Sequence, residues 1–245
     1  MLKKHIVSGV DYETSPIVSF ALSGTDVVMR LPEHEASCES LLLGDMDIYD
    51  ASLYKRSNPL YGIIVLSDSD WKCFYSDSQD PAGFFSLNLA LYYKFESEDE
   101  SGSLLDKNAF EDWLIEVIYK SYEELDRDVE NSFLQNGGTP NQDDYWVFPK
   151  ERGDFRTLSL KEEPLLMGRI GHPSTGINYI VDTAITAHHF LSFRVSFTGF
   201  RDNEIPSASE WESNKEKLLE EFLEHVNIKY PPETLEEITR YNNAK

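Results

Sequence analysis

His34 and Glu35 are followed by Cys38, close to the His-Glu-x-x-His helix in which two imidazoles hold zinc and the carboxylate serves as base. The second histidine position carries the cysteine, Pro32 precedes the segment, and Cys73 is the only other cysteine. A structural zinc site wants four ligands, so the expectation is a surface helix with a buried thiol and no metal or cofactor. Asp45, Asp47 and Asp50 start like a calcium loop, but its fifth, sixth and twelfth positions are Tyr49, Asp50 and Arg56 where an oxygen ligand, Gly and Glu belong. They read instead as an acidic surface loop. Asp68 and Asp70 in Ser-Asp-Ser-Asp read as turn caps.

Nucleophile chemistry is equally incomplete. Gly171 to Gly176 spells Gly-His-Pro-Ser-Thr-Gly, which places Ser174 one position too late for a nucleophile elbow. His188 and His189 are adjacent, so on a strand they point to opposite faces and cannot grip one metal or substrate together. An enzyme would therefore have to gather His172, Ser174, Asp182 and His188 from a distance, as a hydrolase-like site. No P-loop and no dinucleotide fingerprint is present.

The elements that would position these residues fall into a repeated order. Strands are expected over 16–20, 25–31, 61–67, 71–75 and 84–95, with a short helix over 33–43 stopped by Gly44. Phe110, Trp113, Leu114, Val117, Ile118 and Leu125 then recur at helical spacing, which predicts one helix over 108–134. Asn108 with Glu111 reads as its start and Gly137-Gly138 as its stop. Further strands are expected over 144–148, 155–160, 165–170, 178–187 and 189–197. Ser207 and Glu210 form a capping box ahead of a second helix, Pro231-Pro232 stops it, and 234–241 supplies a last short one. The fold class is thus α+β, with mostly antiparallel sheets covered by two long amphipathic helices. Two strands-then-helix subdomains, 1–138 and 139–245, pack as one globular unit and meet at the Gly/Pro-containing stretch 137–144.

Charge is the most unusual property of the chain. Its 245 residues carry 44 acids against 22 Lys and Arg, a net charge of −22, where about 2–8 in magnitude keeps a small domain dispersed. Such a balance argues against nucleic-acid partners and anionic membranes, which are held by clustered Lys and Arg. The short apolar stretch 6–10 is cut by Asp11 and Glu13, so neither a signal peptide nor a spanning helix is expected and the cytoplasm is the default compartment.

An acid surplus of this size points to a basic partner, whose approach it steers. The expected class is an acidic cytoplasmic protein-binding protein, an immunity-type inhibitor that neutralises a basic toxin or effector. The alternatives are the dispersed enzyme site, an acidic accessory subunit or a nucleic-acid mimic. Two zones are the expected partner-binding residues: Asp45, Asp47 and Asp50 in the loop, and Glu123, Glu124, Asp126 and Asp128 on the long helix. Tyr49, Tyr54, Tyr122 and Tyr145-Trp146 are the expected aromatic anchors beside them.

Overall fold

The structure, a computed structural model, describes residues 7–8, 10–32, 45–75, 81–95, 102–160, 163–200 and 208–243. The expected helix over 33–43, with His34, Glu35 and Cys38, lies outside these residues, as does Ser207 of the expected capping box. The early strands are β1 (Val7–Ser8), β2 (Ile17–Leu22), β3 (Thr25–Arg30), β4 (Asp45–Met46), β5 (Lys55–Asn58), β6 (Tyr61–Tyr75) and β7 (Pro81–Lys94). The later ones are β8 (Arg156–Leu160), β9 (Glu163–His172), β10 (Gly176–Ala184), β11 (His189–Thr198) and β12 (Val226–Lys229). One sheet runs β1-β6-β7-β11-β10-β9-β8 with β5 beside β6, and a second runs β12-β3-β2-β4. Pairing is mostly antiparallel; β2 with β4 is parallel. The fold is therefore α+β with two sheets and helices.

Two compact units emerge, each drawing segments from both sides of position 138. One comprises Met1–Asp50, Val65–Leu89 and Arg194–Tyr230; the other comprises Ala51–Ile64, Ala90–Phe193 and Pro231–Lys245. In the first unit Phe85 meets Trp71, Phe197 and Phe222 at ring separations of 5.5–5.8 Å. Phe222 belongs to helix α3 (Ala208–Glu224) once the helices are numbered along the chain, α1 (Lys107–Trp113), α2 (Lys120–Gln135), α3 and α4 (Pro232–Asn243). The expected turn at Ser67 to Asp70 does not form: the buried positions change parity after Leu66, and alternation resumes from Ser67, with Ser67 and Ser69 buried and their hydroxyls 3.2 Å apart while Asp68 and Asp70 are exposed. The two expected strands over 61–67 and 71–75 are consequently one, β6.

In the second unit a helical run covers the sheet segment that holds Leu166, Ile170, Ile180 and Phe190. Its cap lies two residues before the expected Asn108, because the Asp106 carboxylate accepts from the amides of Asn108 (2.9 Å) and Ala109 (3.3 Å). It ends as expected: Gly137 is left-handed at φ +70°, and Gly138 N–H reaches back to the Phe133 carbonyl at 2.9 Å. Among the described residues this run, 29 residues from Lys107 to Gln135, is the one long helix; α3 has 17 residues and α4 has 12, so the expected pair of long helices is not confirmed.

A π-helical segment, Leu114–Tyr119, lies between α1 and α2. A wide turn of this kind takes up about one extra residue, which rotates everything after it by about 100° relative to a continuous α-helix. Phe110, Glu111 and Trp113 are buried before it, Leu114, Ile118 and Tyr119 within it, and Asp126 after it, with Tyr122 half-buried against the same cluster. Leu125, expected on the inner stripe, is 38% exposed, and Asp126, expected outside, is 9% exposed.

Candidate partner-binding face

Two buried carboxylates hold the rotated helix. On β10, Asp182 shares its face with Ile180, beneath the helix, and is fully buried. The Tyr119 hydroxyl, at the end of the π segment, donates to Asp182 Oδ2 at 2.6 Å. Such a bond offsets part of the cost of burying the carboxyl group. About two turns later Asp126 Oδ1 accepts the Trp146 backbone N–H at 2.8 Å, and its Oδ2 stands 3.3 Å from the Lys150 ammonium.

Asp126 thereby ties α2 to a strap, residues 142–150, where a strand was expected over 144–148. The strap starts as a 3-10 turn, Gln142–Asp144, and pairs with the sheet backbone through an isolated bridge, Val147 with Gly171. Gly171 at that bridge has φ +142°, and a Cβ there would stand 2.4 Å from the Gly176 carbonyl, so the β9–β10 hairpin closes around a residue that has to be glycine. Tyr122 of α2 packs on Trp146 (5.5 Å) and on Phe148 (5.5 Å), and Trp146 meets His172 edge-on at 5.4 Å. Lys150 lies 4.5 Å over the Phe148 ring. Tyr145 donates its hydroxyl to Glu130 at 3.3 Å. Partial burial first, then Glu130, Asp126 and Asp144 nearby, push that phenol above its ordinary range.

The outer surface of α2 is what remains. Glu123, Glu124, Asp128 and Glu130 are exposed, with Arg127 3.8 Å from Glu124 as the intervening cation. Asp45, Asp47 and Asp50 are exposed in the first unit, where Asp47 Oδ1 accepts the Tyr49 amide at 3.1 Å and so closes the loop on itself. Tyr49 is exposed and Tyr122, Tyr145 and Trp146 are half-buried; Tyr54 is buried against Tyr93 (5.2 Å) and is withdrawn from the surface.

The residues considered for a dispersed enzyme site do not converge. His172 and Ser174 are neighbours at the β9–β10 hairpin tip, 2.7 Å apart. His172 Nε2 faces the Asp144 carbonyl at 3.0 Å and so carries the proton, which leaves Nδ1 to accept from Ser174. His188 lies past the opposite end of β10, about 30 Å away at roughly 3.3 Å per strand residue. Asp182 sits between them on the helix-covered face. His189, next to His188 in sequence, is buried and stacked on Tyr93 at 4.6 Å, a core role. Among the described residues no group of three or more His, Cys, Asp or Glu could hold a metal ion, and no helix is long and apolar enough to cross a membrane.

Sequence spacing missed Asp126 as a structural acid and missed Tyr119 altogether. An acid inside the apolar run Tyr179-Ile180-Val181-Asp182 was a visible signal that the strand needed a polar partner from elsewhere. No family model matches the chain, and neither does any curated protein or solved structure.

Proposed function

We propose that this chain is an acidic protein-binding protein of the immunity type, which neutralises a basic toxin or effector by docking it on the outer face of α2. The observation that carries this reading is the division of labour along the helix. Asp126 is turned inward to hold the strap, whereas Glu123, Glu124 and Asp128 are exposed on a helix pinned from beneath by Tyr119 and Asp182. Charges on a pinned helix need little ordering on contact, so more of their attraction appears as affinity and association rate. Asp45, Asp47 and Asp50 form the second proposed zone, on the other unit. A cytoplasmic setting belongs to the same proposal.

The test is capture of a partner from native lysate by the full chain, followed by association kinetics of the purified pair. The expected partner is basic and binds in a fixed ratio, with an association rate that falls steeply between about 50 and 200 mM salt. Glu124→Lys with Asp128→Lys should slow association about tenfold or more and flatten that salt dependence, without changing the melting temperature. An acidic partner, or association indifferent to salt and to both substitutions, would sink the reading.

A further inference from the structure

The strap beside α2 has a composition that acids alone do not explain. Tyr122, Tyr145, Trp146 and His172 are all half-buried, so this aromatic group lies at the surface of the unit and is not sealed in its core. Glu130 is exposed at their edge, Asp144 is half-buried, and Asp143 is exposed. The chain already uses this chemistry on itself: Lys150 sits 4.5 Å over Phe148 while its ammonium lies 3.3 Å from Asp126. A cation over a ring with a carboxylate at its side is thus stable in this strap, and Lys150 is committed to it.

We propose that the face formed by Tyr122, Tyr145, Trp146 and His172, rimmed by Glu130 and Asp144, is the anchor site for an arginine side chain of the basic partner. The guanidinium stacks on Trp146 and pairs with Glu130. This rests on the reading of the chain as a binder of a basic protein and names where the specific contact is made. Arginine fits better than lysine on chemical grounds. Its planar cation is weakly hydrated, lies flat on an indole and still presents N–H groups edgewise to a carboxylate, whereas an ammonium must shed tightly held water. The setting also suits an anchor: Asp126, the Val147–Gly171 bridge and the His172–Asp144 carbonyl bond fix the strap before contact.

The experiment uses the full chain with hexa-arginine and hexa-lysine peptides at 50 mM salt, read by calorimetry and by the indole N–H resonance of Trp146. The expected result is saturable one-to-one binding of hexa-arginine that moves the Trp146 resonance, several-fold tighter than hexa-lysine. Trp146→Leu should weaken hexa-arginine by about tenfold and erase the preference over hexa-lysine. Because Trp146→Leu also thins the strap packing, Glu130→Gln, at an exposed position, provides the second variant and should lose several-fold with an unchanged melting curve. Hexa-arginine binding that leaves the Trp146 resonance still and is lost only with Glu124→Lys and Asp128→Lys would overturn the anchor while the acidic-face reading stands. Equal affinity for the two peptides, unaltered in Trp146→Leu, would overturn the anchor in the same way. No binding of either peptide would overturn both.

Discussion

Replacing Asp126 by Ala tests the rotated register most directly. A continuous α-helix makes Asp126 a solvated acid, whose removal changes stability by less than about 0.5 kcal/mol. The structure makes it a double acceptor. Its bond from the Trp146 amide, 2.8 Å long and partly buried, is a hydrogen bond to a charged group, worth about 1.5–3 kcal/mol. The ion pair with Lys150 adds less, under about 1 kcal/mol, because the lysine side chain is 55% exposed. Alanine returns roughly 0.5 kcal/mol through helix propensity. The net loss is about 2–3 kcal/mol, which at a urea dependence of roughly 2–3 kcal/mol/M lowers the midpoint by about 1 M. Leu125→Ala is the paired control: a buried leucine would cost about 2–5 kcal/mol, and an exposed one should cost under about 0.5 kcal/mol. Urea unfolding followed by circular dichroism and tryptophan fluorescence measures both. A neutral Asp126→Ala alongside a costly Leu125→Ala would refute the register and with it the pinned outer face.

Tyr119→Phe removes the hydroxyl from a fully buried carboxylate and should cost about 1.5–3 kcal/mol in the same assay; a change below about 0.5 kcal/mol would mean that the bond adds nothing to the fold. Gly171→Ala places a Cβ against the Gly176 carbonyl at a strained φ, so a loss of about 2 kcal/mol is expected, and a change below about 0.5 kcal/mol would mean that the hairpin does not need glycine there. Burial pushes the Cys73 thiol up to about 12. Its folded value lies above the ordinary thiol value, so its contribution to stability is complete below about pH 8.5 and is lost as pH rises toward 12. In a Cys38→Ser background native alkylation at pH 8 should be at least a hundredfold slower than in urea; comparable rates would place the thiol at the surface. Asp112 is held below its usual range by the hydrogen bond from Arg152, so any advantage of wild type over Asp112→Asn should be present near pH 7 and shrink as pH falls through that lowered value. A difference in melting temperature that grows toward acid pH would contradict the assignment.

What could be read from the residues, and what could not, divides at the π segment. Strand positions were legible wherever alternation or a β-branched run announced them, as in β2, β3, β7, β9, β10 and β11. So was the helix stop at Gly137, because its left-handed conformation favours glycine. The helix from Lys107 was legible in extent but not in phase. Periodicity assumes 3.6 residues per turn throughout, and a single wide turn is invisible to it. Everything after Tyr119 was therefore assigned to faces about 100° out, which reversed Leu125 and Asp126. Ser67 to Asp70 failed for the opposite reason: turn-forming residue types outweighed an alternation that was present. The strap was read as a strand because Tyr145, Trp146, Val147 and Phe148 are all strand formers. It leaves the ladder because Asp126 and His172, distant in sequence, take its polar backbone groups.

The same phase shift bears on why so much acid sits on one helix. Glu124 and Asp128 are four apart, a like-charge spacing that costs about 0.2–0.5 kcal/mol, and acids toward a helix C-terminus oppose its dipole. Left to propensity, α2 would fray where its charge is densest. Tyr119 with Asp182 below, and Asp126 with Trp146 and Lys150 beside it, are each worth more than one such repulsion by the magnitudes above. One of the five acids of α2 is thus spent on holding the helix in place, and the other four stay at its surface. Dispersed charge would serve solubility equally well without straining a helix. Crowding it onto a helix that the core must then hold in place favours recognition over solubility as the reason for the arrangement.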